Sequence, residues 1–532
     1  MLNVNRSEMH VVARLRDFFG ATTGWQRTLW NSGIVLTLRE ILQASEQVAN
    51  GVLSDASLRS AASWAIIVAG RDPGAGDDAR KKQVQRALRS DDKGDGIALR
   101  SAQYRTIQII ADEMEPAYLS RWATALRNPQ NCPGPERTAR AIGSHLLDAG
   151  FSSDFLHRWW TYKCKYEPGT KALAEIVDDA AALLAQGPRS FEILVAFEHA
   201  PKGVPSGKPK AEWLPNKEVS KWLSKHKFNV RGLRQRGGMK LLVEARDPLS
   251  AAELATETID RLISRVSLGS ETRNRLVPLP QIWIGGERDP LPLTPRRRRV
   301  EIHALHRENR LYDLSEFSIV DAAMELVAPL DSEPPSPAVA GGWGAIEALL
   351  TGPGDPERVL AADRMASLVA CSFVRAELTT LSYQAEKEGG PIAVALKACL
   401  TNRDRCGVLA KTIQDGVPVA FTNDSDLAAL ARITALYASP SATLRDIEGH
   451  VSTCFRRLYR HRNMVLHGAK TDALGLRACL RTAAPLVGAG LDRIAHAWFV
   501  ESRHPLELAA RARLRLDTLG TAGACSPLDL LA

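Results

Sequence analysis

Arg462 and His467 are the residues whose types and spacing point most directly to chemistry. They lie in the run Phe455-Arg456-Arg457-Leu458-Tyr459-Arg460-His461-Arg462-Asn463-Met464-Val465-Leu466-His467-Gly468. Upstream, Leu444, Ile447, Val451, Phe455 and Leu458 step by three or four, which marks one buried stripe of a helix. At about 100° per residue that stripe continues through positions 462 and 465. Arg462 therefore stands where Leu or Ile is expected. A guanidinium keeps its proton, and burying it unpaired is strongly unfavourable. It requires a carboxylate, a bound anion or a wet cleft. Glu347 is the preferred carboxylate partner and Asp363 the other candidate. A charge that breaks an apolar pattern is what a functional site produces. His467 adds a group that exchanges a proton near neutrality.

On an ideal helix His467 lies about 140° from Arg462, so a regular helix does not bring them together. Gly468 offers a left-handed helix end that distorts the last turn, and a second protomer is the alternative. Asn463 and His467, at i and i+4, share a face. Thr443 and Asp446, after Pro440, have capping-box spacing, with Asp in place of Glu or Gln. Arg456, Arg457 and Arg460 are candidate phosphate contacts, and Tyr459 is expected to pack.

The segment Arg462-Asn463-Met464-Val465-Leu466-His467 resembles the R-N-x-x-x-H form of the HEPN ribonuclease motif. Trp343-Gly344-Ala345-Ile346-Glu347-Ala348-Leu349-Leu350 and Asp363-Arg364-Met365-Ala366-Ser367-Leu368 resemble the first helices of the ApeA-like branch of that family. The resemblance covers about a third of the chain, residues 341–515. It implies a helical bundle that pairs with a second copy, and RNA cleavage without a metal or other cofactor. In that chemistry His467 moves a proton at the ribose 2′-OH or the leaving oxygen, and Arg462 neutralises the scissile phosphate. The product is a 2′,3′-cyclic phosphate, and DNA, lacking the 2′-OH, is not cut. The resemblance further implies a cytoplasmic prokaryotic antiviral effector or toxin, with an unknown trigger read by the N-terminal region. The competing reading is a non-catalytic scaffold, dimerisation or nucleic-acid-binding unit. In it Arg462 is a buried arginine paired with Glu347 or Asp363, and His467 is a helix-terminal histidine favoured by the dipole.

The elements that must position these residues follow from the rest of the chain. With 532 residues, it exceeds what one hydrophobic core usually supports. Apolar residues make up 45% and charged residues 24%, which excludes wholesale disorder. The net charge of +9 favours a polyanionic partner weakly. It is concentrated in the basic cluster above and in Arg296–Arg299, either a phosphate contact or a solvated face. Eight scattered cysteines, none in a C-x-x-C pair, read as reduced thiols. The start is too polar for a secretory signal, and no apolar run is long enough for a membrane span.

The fold class expected is mainly α. Residues 1–187 form a helical region broken at Asp72–Gly76, Asn131–Pro135 and Gly187-Pro188. Its tryptophans (Trp25, Trp30, Trp64, Trp122, Trp159 and Trp160) are expected in packing. Residues 188–326 form a small α/β domain. Its strands are expected at Phe191–Phe197, Met239–Ala245, Pro280–Ile284 and Arg299–Leu305, with a helix over Ala251–Val266 and exposed loops at Val204–Lys210 and Arg234–Gly238. A proline-rich linker, 327–340, has four prolines in Ala328–Pro337. Residues 341–515 form the helical bundle and 516–532 a tail. Gly341-Gly342-Trp343-Gly344 reads as a flexible lead-in. No P-loop, G-x-S-x-G, H-E-x-x-H or carboxylate cluster occurs, and the H-x-x-H pair His303 and His306 suits no metal geometry. The middle domain shows no catalytic constellation of its own.

Overall fold

A computed structural model describes residues 6–89, 97–128, 132–166, 172–199, 211–230, 232–269, 275–293, 297–313 and 317–531. The chain is mainly helical, with one small antiparallel sheet in its middle. The first part carries α1 (Arg6–Phe19), α2 (Ile34–Ala49), α3 (Asp55–Gly70), α4 (Asp78–Leu88), α5 (Ala102–Leu126), α6 (Pro135–Asp148), α7 (Ser153–Tyr166) and α8 (Leu173–Ala185). The middle holds β1 (Arg189–His199), β2 (Ala211–Leu214), α9 (Asn216–Lys225), β3 (Gly238–Ala245), α10 (Pro248–Gly269), β4 (Val277–Ile284) and β5 (Leu291–Pro292). Then come α11 (His303–Arg307), α12 (Ile319–Ser332), α13 (Pro335–Leu350), α14 (Leu360–Glu388), α15 (Pro391–Lys397), α16 (Asn402–Gln414), α17 (Asp424–Ala438), α18 (Pro440–Leu466), α19 (Leu476–Glu501) and α20 (Pro505–Thr518).

These elements form two compact units. One comprises residues 1–148, 160–181 and 298–532; the other comprises 149–159 and 182–297. The division differs from the expected sequence of separate domains, because the N-terminal helices and the C-terminal bundle share one core. Buried ion pairs tie them together. Arg27 Nε donates to Glu377 Oε1 at 2.6 Å and its Nη1 to Asp426 Oδ1 at 2.7 Å. At the centre of this unit, α14 packs against α13 and each of α15 to α20. Its stretch 365–371 is buried on all sides, which is why its apolar residues show no single stripe. Trp30, Trp122 and Trp160 are buried, as packing tryptophans should be.

In the smaller unit the strand order is β2-β3-β1-β4-β5, antiparallel throughout. Alternate residues of β1 point to opposite faces. Ile193, Val195 and Phe197 join a core with α10, while Leu194 and Ala196 join one with Trp222 and Leu223 of α9. Cover on both faces makes β1 a continuous apolar run, which is how it was legible. Strands were expected and occur over Phe191–Phe197, Met239–Ala245 and Pro280–Ile284. Arg299–Leu305 is not a strand. Arg299 has φ 65°, outside the β region, and α11 begins at His303. Residues 298–326 also leave the expected middle domain. Arg298 N–H donates to Asp331 O at 2.7 Å, and Ala304 N–H to Asp492 Oδ1 at 2.6 Å. Val204–Lys210 and Arg296 lie outside the described residues.

The proline-rich stretch is not a linker. Helix α12 runs through Pro329 to Ser332, and α13 starts at Pro335, with Pro334 as its N-cap. In a first turn the backbone N–H groups have no helical acceptor, so Pro335 and Pro337 remove nothing. Gly341 and Gly342 are not a flexible lead-in either. They lie inside α13, where a Cβ on Gly341 would run into the Leu326 carbonyl of α12 and one on Gly342 would stand 2.9 Å from Leu330 Cδ2. The glycines let two helices touch.

Candidate functional site

Helix α18 carries the motif. Its first residue is Pro440, with Ser439 as N-cap and no side-chain capping bond. The Thr443–Asp446 capping box is therefore not formed. Both residues sit inside the helix, and Asp446 Oδ2 lies 3.6 Å from His450 Nε2 one turn on. Leu444, Ile447, Val451, Phe455 and Leu458 are buried, as their spacing requires.

From Arg457 onward the buried face widens to include Arg457, Arg460 and His461. Glu40 of α2 receives Arg457 and His461 directly and attracts Arg460. Arg457 Nε and Nη2 donate to Glu40 Oε1 at 3.0 and 2.5 Å, and His461 Nε2 stands 3.3 Å from the same oxygen. Burial alone would raise the Glu40 pKa, but Arg457 and then His461 bring it down to about 2. Burial also lowers the pKa of His461 and Arg460, against the pull of Glu40. Arg457 is 4% exposed and Glu40 9%. This corrects the expectation that Arg457 and Arg460 hold flanking phosphates, because both are sealed in the interior. Arg456 is half-buried and is held bidentately by Asp363, Nε to Oδ1 at 2.9 Å and Nη2 to Oδ2 at 2.5 Å. Asp363 also accepts from Ser452 Oγ at 2.7 Å, so it serves Arg456 and not Arg462.

The end of α18 brings the motif together. Helix geometry runs to Leu466, and His467 closes it with φ −101° and ψ −28°, its N–H donating to Asn463 O at 2.9 Å. Arg462 Nη1 lies 3.1 Å from His467 Nε2 and donates to Asn463 Oδ1 at 3.0 Å. No distortion of the last turn is needed. The long arginine stem spans the angular gap that the backbone leaves open. Nor is Gly468 the left-handed residue, since Ala469 takes that conformation with φ 48°. Gly468 is required for space: a Cβ there would stand 2.8 Å from Met464 O and 2.9 Å from Gln47 Oε1.

Guanidinium N–H groups only donate. The Arg462 contact is therefore a hydrogen bond in the tautomer that leaves the lone pair on His467 Nε2. Arg462 is 25% exposed on its side chain, and His467 is exposed. Glu347 of α13 completes the group, its Oε2 4.0 Å from Arg462 Nη2. Trp343 Nε1 donates to Glu347 Oε2 at 2.6 Å and Arg358 Nη1 to Oε1 at 2.7 Å, which fixes the carboxylate. Tyr459 packs on Trp343, ring centroids 4.7 Å apart.

Four of the expected residues thus converge (Arg462, Asn463, His467 and Glu347), while Asp363, Arg456, Arg457 and Arg460 do not join them. Glu40 and Arg358 were missed. Two charges, Arg39 and Glu40, interrupt the apolar residues of Leu38–Leu42, and that interruption is the one signal that marked Glu40. Arg358 lies in the turn before α14 and carried none. Among the described residues, no group of three or more His, Cys, Asp or Glu is placed to hold a metal ion. The eight cysteines form no disulfide. No helix among the described residues is long and apolar enough to cross a membrane. No known family model, curated protein or solved structure matches the chain.

Proposed function

We propose that Arg462 and His467 are the cleavage centre of a metal-independent RNA endonuclease of the HEPN type. The observation that carries the reading is the 3.1 Å approach of Arg462 Nη1 to His467 Nε2 at a solvent-reachable helix end. A scissile phosphate arriving there takes the guanidinium as its charge partner and releases the imidazole lone pair. The imidazole removes the 2′-OH proton, and the 2′ oxygen attacks phosphorus. The bond to the 5′ oxygen breaks, that oxygen takes up a proton, and a 2′,3′-cyclic phosphate and a 5′-OH remain. Asn463 holds the guanidinium from one side, and Glu347 supports it from the other. In this reading the protein is a cytoplasmic antiviral effector or toxin of a prokaryote, it acts as a homodimer, and the rest of the chain answers a trigger.

A second reading, a non-catalytic helical scaffold, is favoured by one observation. Of the three arginines expected to bind flanking phosphates, Arg456 is spent on Asp363, Arg457 on Glu40, and Arg460 is buried.

Purified protein incubated with assorted RNAs in EDTA separates the two. Cleavage is expected, with cyclic phosphate ends, and both Arg462→Ala and His467→Ala are expected to lower the rate by at least about a hundredfold. Both sites are solvent-reachable, so melting temperature should hold. Cleavage that persists unchanged in both variants would sink the enzyme reading.

A further inference from the structure

The larger helical unit contains a part-open cavity of about 510 Å³, within the range of small-molecule sites. It is walled by α3, α6, α14, α17, α18 and the segment leading into α2. Residues Thr443–His450 of α18 line it, a full three turns before the Arg462–His467 pair, and neither of those two residues reaches it.

The wall is apolar and aromatic on one side. Trp30 and Trp64 both face the cavity, with Phe373 beside Trp30 at a centroid distance of 5.8 Å. His450 stands edge-on to Trp64, 5.0 Å between centroids. Burial, and then Arg140 and Arg137, lower the pKa of that imidazole well below its usual value, so it adds no positive charge.

On the other side the wall is cationic. Arg71, Arg137 and Arg140 line it. Among the described residues, neither Arg71 nor Arg137 forms an ion pair, and Arg140 comes only within 3.9 Å of Glu136 while its guanidinium lies over Trp30. Of the carboxylates that line the cavity, Asp446 stands 3.6 Å from His450 and attracts Arg137 and Arg140, and the other two are engaged with further partners. Glu136 accepts from Arg14 and His10, each at 2.8 Å. Asp72 accepts from Tyr118 at 2.7 Å and from the Gly74 N–H at 2.8 Å, and burial pushes it up to about 6. Burial first and Arg71 second push the Arg137 guanidinium down. Arg71, Arg137 and Arg140 share the hollow with the Asp446 carboxylate, while Glu136 and Asp72 are held mainly by other partners, which leaves an excess of positive charge that an anion offsets. One carboxylate is satisfied by a single arginine fork. Three arginines match a dianion, and phosphate is the group that arginine recognises with several donors at once.

We propose that this cavity binds a small aromatic phosphate monoester of nucleoside-monophosphate size, its ring against Trp64 and its phosphate among Arg71, Arg137 and Arg140. The ligand's planar face meets an aromatic wall, and its phosphate relieves the repulsion among the guanidinium groups.

The test uses the full chain and no RNA, so its outcome is separate from that of the cleavage reading. Adenosine 5′-monophosphate is titrated by calorimetry and by intrinsic tryptophan fluorescence, with adenosine and inorganic phosphate as separate titrants. Saturable binding of the monophosphate is expected, with both fragments at least about tenfold weaker. Arg71→Ala and Arg137→Ala, at exposed positions, should each weaken it by about tenfold while leaving the melting temperature unchanged. The proposal is overturned if millimolar monophosphate gives neither heat nor quenching, if inorganic phosphate binds as tightly, or if both variants bind it like the parent.

Discussion

Glu40 reaches Arg457 and His461 from 417 and 421 positions earlier in the chain. Its Oε1 takes both Arg457 donors and stands beside the imidazole, in a setting sealed from water. Replacing it by glutamine leaves a buried guanidinium without a counter-charge. Glu40→Gln should therefore lower unfolding free energy by about 3–5 kcal/mol at neutral pH, measured from urea midpoints. The same carboxylate sets a pH signature. Held at about 2 in the folded chain against an ordinary 4.5, it contributes stability that is complete above 4.5 and is lost as pH falls towards 2. The gap between parent and variant should narrow across that window. A gap of constant size down to pH 2 would show that Glu40 stabilises by packing and not by charge. At this scale the sequence disclosed a good part of the site. Arg462 broke an apolar phase, and Glu347 was its nearest sensible partner. The sequence concealed what Arg457 and Arg460 do, because a basic cluster looks the same whether its partners are phosphates or a carboxylate hundreds of residues away.

Helix ends and helix pairs were read less well than helix bodies. The buried stripe of α18 was legible from spacing alone, since period 3.6 requires nothing beyond the local sequence. Its start was misplaced, because Thr443 and Asp446 have capping spacing while Pro440 at the first helical position already fixes the entry. The stop was placed correctly for the wrong reason. Gly468 marks the end of α18 through the space left by Gln47 and Met464, and Ala469 makes the left-handed turn. Between α12 and α13 the prolines suggested an unstructured joint. Only the residue that packs opposite, Leu326, shows that Gly341 is a point of helix contact. Gly341→Ala places a methyl group against a backbone carbonyl, which cannot rotate away. The two helices must separate locally, and a loss of about 1–3 kcal/mol is expected from the denaturation midpoint. An alanine variant as stable as the parent, or more so through its higher helix propensity, would mean that α12 yields without strain.

At the scale of the molecule, the important question is whether residues 341–515 are a module. Their motif and helical pattern suggested one, joined to the rest by a proline hinge. The compact unit to which they belong includes residues 1–148 and 160–181 as well. The reason lies in charges that have partners only across that sequence gap. Glu377 of α14 is fully buried between Arg27 and Arg432; Asp426 of α17 accepts from Arg27; Arg457 of α18 depends on Glu40. An excised 341–515 chain keeps Glu377, Asp426, Arg432 and Arg457 and loses Arg27 and Glu40. Glu377 and Arg432 retain one another, but Asp426 and Arg457 must then either hydrate, which opens the core of α14, α17 and α18, or stay buried and uncompensated. Two such groups cost about as much as the margin by which an ordinary domain is folded. The fragment is expected to show helical far-ultraviolet dichroism with a broad, non-cooperative thermal transition, whereas the full chain melts sharply. Calorimetry of the two distinguishes the cases. A sharp transition in the fragment, near the temperature of the intact protein, would mean that the C-terminal helices hold their fold without α1 and α2, and that the buried ion pairs between these segments join two independent bodies.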